Sequence, residues 1–190
     1  MAGLYQMETG VSYGWRPFPE VDRLMAAKIE AVDDLYVHDL QDIYSAQEQL
    51  GWALTKMAVA ADSLVLRAGL ARHLEQTRQH LRRMHQALRD INQAPDGRES
   101  RGMRALIDEV EKIMSTTSFG AALDSALIEA ARKIKQFDIV AYRAAIARAY
   151  ELGLKDVASL LEWNLQEDEL TDYRLRQLAE ELQPPGGPVS

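Results

Sequence analysis

The chain has 190 residues and a net charge of −7, with 47% hydrophobic and 27% charged residues, the profile of one soluble domain large enough for a substantial core. Cysteine is absent, which excludes disulfides, thiolate metal sites and cysteine nucleophiles and suits a reducing, cytoplasmic setting. No apolar run approaches ~20 residues, so no membrane span is expected, and the acidic balance argues against bulk nucleic-acid binding. The opening MAGLYQMETG lacks a basic start and an apolar stretch, so no signal peptide is expected.

Residues 1–19 read as an irregular arm, because Pro17 and Pro19 forbid a helix there. Its Tyr5, Tyr13, Trp15 and Phe18 are costly to leave in water, so the arm is expected to pack on the main body or on a second subunit. The first long helix should start at Pro19 or Glu20 and reach Ala61, with a possible break at Asp33-Asp34. Its inward positions are Tyr36, Leu40, Ile43, Gln47, Leu50, Leu54 and Met57, a four-and-three spacing that is the seam of a bundle helix with a polar residue at its centre. Asp62-Ser63 reads as a turn and N-cap for a second helix over about 64–93. Its seam is taken as Leu70, Leu74, Thr77, Leu81, Met84, Leu88 and Ile91.

After the Ala94-Pro95-Asp96-Gly97 loop, a short helix is expected over about 99–115, with Met103, Leu106, Ile107, Val110, Ile113 and Met114 on one face. The next long helix spans about 121–152, with Leu127, Ala131, Ile134, Asp138, Ala141 and Ala145 inward and Gly153 at its end. The last covers about 155–182, with inward Val157, Leu161, Asn164, Asp168, Thr171, Leu175, Leu178 and Leu182, again polar at mid-length. Residues 183–190, rich in Pro and Gly, read as a disordered tail. No segment alternates as a strand would. The expected fold is all-α: an antiparallel four-helix bundle over residues 20–182 with an additional short helix. Facing side chains at mid-height in such bundles are where metal and cofactor sites are built.

Charge is uneven along the chain. Residues 67–104 hold nine arginines against four acids, and residues 151–182 hold nine acids against three bases. Mutual attraction of the two segments is the preferred reading over a basic face for a polyanion, since solvated helix faces often carry one sign. Trp52 and Trp163 are expected as core or interface anchors. His38, His73, His80 and His85 are read as surface or capping groups rather than as ligands. No phosphate loop, nucleophile elbow or zinc-hydrolase motif is present.

Several segments carry a family resemblance. Tyr36 to Leu50, His73-Leu74-Glu75-Gln76-Thr77, Met103 to Ile107, Ala126-Leu127-Ile128 with Lys135 to Tyr142, and Leu160-Leu161 with Glu167-Asp168-Glu169 resemble, in order and spacing, the successive helices of the YciF-like ferritin-like proteins, a bacterial family tied to stress responses. The resemblance runs from about 33 to 180 and implies a ferritin-like bundle, usually a homodimer. It also implies an inward set of glutamates, with a histidine or carboxylate three residues after one of them, holding two divalent metals.

Measured against that pattern, this chain departs. Gln47 stands where the family has Glu, Arg78 where some members have His, Arg104 where the family has Glu, and Lys135 where it has Glu; Asp138 takes the place of a second Glu, while Glu75, Glu167 and Asp168 are retained. The changes at Gln47, Arg78 and Lys135 add four positive charges, the charge of two divalent ions. Charged ammonium and guanidinium groups have no lone pair and cannot ligate a metal.

The expectation is a vestigial polar layer of Gln47, Glu75, Arg78, Lys135, Asp138, Glu167 and Asp168, with no catalytic residue, no metal and no cofactor. In it Arg78 and Lys135 pair with Glu75, Asp138 and Asp168, unless both point outward with their stems on apolar surface. The alternative is iron or manganese held by Glu75, Asp138 and Asp168, with ferroxidase or peroxide chemistry. The preferred function is a non-enzymatic structural or partner-binding protein, a homodimer with a protein partner the sequence does not name.

Overall fold

A computed structural model describes the backbone of residues 19–182 and the side chains of residues 34–182. Residues 1–18 of the expected arm, with Tyr5, Tyr13, Trp15 and Phe18, and the expected tail lie outside the described residues, and Pro19 is the first residue of α1. The chain divides into two compact units, residues 1–34 and 35–190. The helices are α1 (Pro19–Ala60), α2 (Leu64–Asp90), α3 (Arg101–Thr116), α4 (Ala121–Glu151) and α5 (Lys155–Glu181). The backbone is helical through Asp33 and Asp34, where the sequence offers a break. Among the described residues no helix is long and apolar enough to cross a membrane.

The turns follow from local chemistry. The Ser63 side chain caps α2 by accepting from the Leu66 amide at 3.4 Å. Asn92 and Gly97 supply the left-handed backbone between α2 and α3, and Gly153 supplies it between α4 and α5. Ser100 fixes the start of α3 on α1: its amide donates to Ser45 Oγ and its hydroxyl to Asp42.

A less expected clamp joins α4 to the α1–α2 turn. The buried Asp124 carboxylate accepts from the Asp62 amide at 2.8 Å and the Ser63 amide at 2.7 Å. A carboxylate from the first turn of one helix thus satisfies backbone donors at the start of another. Asp124→Ala leaves both amides without that partner, and is expected to cost about 2 kcal/mol. The urea midpoint would fall with an unchanged slope; an unchanged midpoint would show that the clamp contributes nothing.

Beyond residue 34, two apolar clusters occupy the two ends of the bundle. One gathers Leu50, Leu54 and Met57 of α1, Leu66 and Leu70 of α2, the inner face of α3, Leu127 to Ile134 of α4, and Leu175 and Leu178 of α5. The other gathers Tyr36, Leu40 and Ile43 of α1, Met84 to Leu88 of α2, Tyr142 to Ala149 of α4, and Val157 to Leu161 of α5. On every long helix the residues between these stretches are the buried polar ones: Gln47, then His73, Thr77 and His80, then Lys135 and Asp138, then Asn164, Asp168 and Thr171. The two apolar clusters therefore hold a polar layer between them at mid-height.

The expected seams of α1 and α5 match the buried residues, except that Leu182 is exposed. The seam of α2 is corrected. Its buried stripe is Leu66, Leu70, His73, Thr77, His80, Met84, Ala87 and Leu88, and Leu74, Leu81 and Ile91 lie at its flank, partly buried. The reading of the histidines as surface groups fails for His73 and His80, which are fully buried; His38 and His85 are exposed.

Candidate functional site

The polar layer is built around Lys135. Its position on α4, one residue after the seam residue Ile134 and three before Asp138, turns the side chain inward, and it is 0% exposed. The ammonium group donates to Asp138 Oδ2 at 2.8 Å and to Asp168 Oδ1 on α5 at 2.7 Å. Burial alone would lower its pKa, but the two carboxylates outweigh it and hold Lys135 above the usual 10.5. Burial also raises Asp168 above the usual 3.8, against the pull of Lys135 and His80.

A second cluster adjoins the first through neighbouring residues of α5. His80 Nε2 lies 3.0 Å from Glu167 Oε2, and His80 Nδ1 lies 3.7 Å from Asp168 Oδ1. Arg83, one turn along α2, closes on Glu167 with two hydrogen bonds of 3.0 and 2.9 Å and also donates to Asn164 Oδ1. The His80 hydrogen bond, opposed by burial and aided by Arg83, brings Glu167 from 4.5 down to about 2. Asn164 in turn donates to the buried Tyr142 hydroxyl, whose ring meets His80 edge-on. The basic and acidic segments of the sequence therefore do meet at Arg83–Glu167, though most of the arginines stay exposed.

Several polar atoms of the layer are buried without a partner. Both amide atoms of Gln47, both ring nitrogens of His73, the Thr77 hydroxyl, His80 Nδ1 and Asp168 Oδ2 make no hydrogen bond among the described residues. Burial, with Lys135 and His80 adding their charge, puts the pKa of His73 well below 6.5, so its ring is neutral.

The structure brings Gln47, Lys135, Asp138 and Asp168 into the interior, with Glu167 at its edge, and leaves Glu75 and Arg78 outside. Arg78 pairs with Glu75 at 3.2 Å on the surface, where both are more than half exposed. Arg104 is also exposed, paired with Asp108. The expected pairing of Arg78 with the inner carboxylates is thereby corrected, as is the ligand set that included Glu75: on α2 the inward residues are His73, Thr77 and His80, so positions 75 and 78 face away. The balance of four added charges fails too, because with Arg78 outside only the changes at Gln47 and Lys135 reach the interior. Among the described residues no group of three or more His, Asp or Glu side chains is arranged to hold a metal ion.

Sequence reasoning missed His73, His80, Arg83 and Asp124. A signal for the first two was present. Leu66, Leu70, His73, Thr77, His80, Met84 and Ala87 form an unbroken four-and-three series, sharing Leu70, Thr77 and Met84 with the series drawn through Leu74 and Leu81. The leucines favoured the second series, and polar histidines argued against the first. Trp52 and Trp163 are 76% and 60% exposed, so neither is a core residue of a single chain.

With this geometry in hand, comparison places the chain among known proteins. The family described as a domain of unknown function, DUF892, matches residues 31–184. Protein YciF of Escherichia coli (strain K12) is 32% identical over 152 residues, 80% of this chain and 92% of that protein. The crystal structure of that E. coli stress protein superposes with a TM-score of 0.77 over 80% of this chain and 96% of the other. YcfI of Rhodopseudomonas palustris, also 32% identical, gives a TM-score of 0.74 over 76% of this chain and 92% of its own. A dodecameric thioferritin from Bacteroides fragilis, 13% identical with a TM-score of 0.60 over 80% of this chain and 94% of that one, shares the fold. The bundle, its short extra helix and these matches together make the chain a member of the DUF892 family, a YciF-like protein with a ferritin-like all-helical fold.

Proposed function

We propose that this is a stress-related bundle protein in which an internal ion network stands where ferritin-like relatives hold metals, and that it serves as a structural or partner-binding protein rather than an enzyme. One observation carries the reading: the Lys135 ammonium lies within 2.8 Å of both Asp138 and Asp168, the place between inward carboxylates that a divalent ion would take. The donor set does not suit two metals. An ammonium has no lone pair to offer and repels a cation, Gln47 brings a neutral amide where a carboxylate is wanted, and Glu75 is turned outward. No reaction step is assigned to this interior.

The same reading makes the protein a cytoplasmic homodimer. Support comes from exposed apolar side chains spaced one helical face apart, Trp52 with Val59 on α1 and Trp163 with Leu170 on α5, and from a sequence without cysteine.

Metal analysis of protein purified without chelator tests the proposal. Iron and manganese far below one equivalent per chain are expected. Near-stoichiometric metal that survives dialysis would overturn the reading in favour of a metal-handling protein with oxidative chemistry.

A further inference from the structure

We propose that the groove between α2 and α5, away from the ion network, binds a small monocarboxylate with an apolar chain. Three hydrogen-bonded pairs, Gln76–Thr171, His80–Glu167 and Arg83–Asn164, hold the two helices antiparallel in one constant register. Continuing that register toward the start of α2 sets Arg72 level with Leu175, beside Arg174, and Gly69 level with Leu178. The two arginines thus line the groove from opposite walls. Neither makes an ion pair or a side-chain hydrogen bond among the described residues.

Gly69 opens the wall. A Cβ at this position would meet nothing within 4 Å. Beside it lies a groove of about 540 Å³ lined by Leu64, Val65, Ala68, Leu178 and the two arginines, within the range of small-molecule sites. Leu64 and Val65 are 74% and 61% exposed there. Beneath it a pocket of about 50 Å³ reaches inward to His73, Gln76 and Thr171. His73 is fully buried, has no hydrogen-bond partner on either ring nitrogen among the described residues, and lines this inner pocket.

The arrangement has a polar end and an apolar end. A carboxylate placed between Arg72 and Arg174 accepts charge-assisted hydrogen bonds, and Gln76 and His73 offer further polar contacts beneath it. From there the helices run toward the exposed Leu64 and Val65, along which an alkyl chain removes apolar surface from water. Glu181, which also lines the groove, lies two turns from Arg174 along α5, about 10 Å by helix rise. It disfavours a second negative charge at the far end, which selects a monoanion. A second copy of this chain or a cationic amphiphile would use the apolar wall without needing the arginines.

The test is titration of sodium decanoate into the full chain, followed by amide NMR, with decanol as the uncharged control. Saturable shifts centred on Gly69, Leu70 and Leu178 are expected with decanoate and not with decanol. Arg72→Ala with Arg174→Ala is expected to weaken binding by about tenfold or more without lowering the melting temperature, since both side chains are exposed. Gly69→Leu, which fills the groove and leaves both charges, should abolish it. Equal shifts with decanol, an unchanged affinity in the double arginine variant, or no saturable shift at all would overturn the proposal. So would a change of oligomeric state in Gly69→Leu with no decanoate binding to the parent, which would give the groove to a second copy.

Discussion

Lys135→Ala should destabilise the protein by roughly 3–5 kcal/mol, the usual cost of removing one partner from a buried ion pair. Among the described residues, the variant strips the only cation within hydrogen-bonding distance of Asp138 and Asp168 and leaves two like charges facing each other in a buried layer. Protonation of Asp168, whose pKa burial already raises, limits the loss but cannot restore the two hydrogen bonds. Replacing the whole trio with Met at 135 and Leu at 138 and 168 is expected to recover most of the stability, because apolar groups of similar size leave no uncompensated charge.

Urea denaturation of the parent, the single and the triple variant separates the cases. A Lys135→Ala midpoint equal to the parent's would show that the ammonium contributes nothing to the fold. The single variant has a second readout, because it opens the space between the carboxylates. A gain of manganese affinity over the parent is expected from a cation standing in for metal, and is not expected from a lysine that merely fills volume.

Acid should weaken the protein from about pH 6.5 downward, well before the carboxylates of the surface titrate. His73 is buried neutral, and its pKa is held well below 6.5 by burial first and by the Lys135 and His80 charges second. Such a lowered group stabilises the folded state fully above the unfolded value of 6.5, and the contribution is lost as pH falls through the range between that value and the folded one. Each pH unit in that range removes about 1.4 kcal/mol. Glu167, lowered to about 2, follows the same sign further down: its stabilisation is present above 4.5 and fades as pH falls toward 2. It is part-exposed, which discounts its contribution to about 1 kcal/mol. His73→Leu should flatten the decline above about pH 5. The same slope in that variant as in the parent would assign the decline to other groups.

How much of this was legible in the sequence depends on the residue type at each seam position. On α1, α4 and α5 the inward positions are mostly aliphatic, and the polar residues amid a regular series, Gln47, Asp138, and Asn164 with Asp168, are conspicuous. On α2 two registers compete, and composition picks the one whose leucines turn out to flank the core. What tips the balance in the folded chain is tertiary: Glu167 of α5 meets His80 and is itself held by Arg83 of α2, which makes a buried imidazole cheaper than the sequence alone suggests. Asp124 could not be foreseen, because its partners are backbone amides sixty residues away. For Arg78 the sequence leaves inward pairing and an outward position both open, and the helix phase of this chain turns it out.

Lys135 is proposed to occupy the place of a metal with its side-chain cation. Anomalous diffraction from crystals of the parent protein grown with manganese addresses it at the atoms concerned. No anomalous peak within coordination distance of Asp138 or Asp168, with continuous density from Lys135 Nζ to both carboxylates, is the result predicted. A manganese peak between the two aspartates, with Lys135 displaced from them, would contradict it.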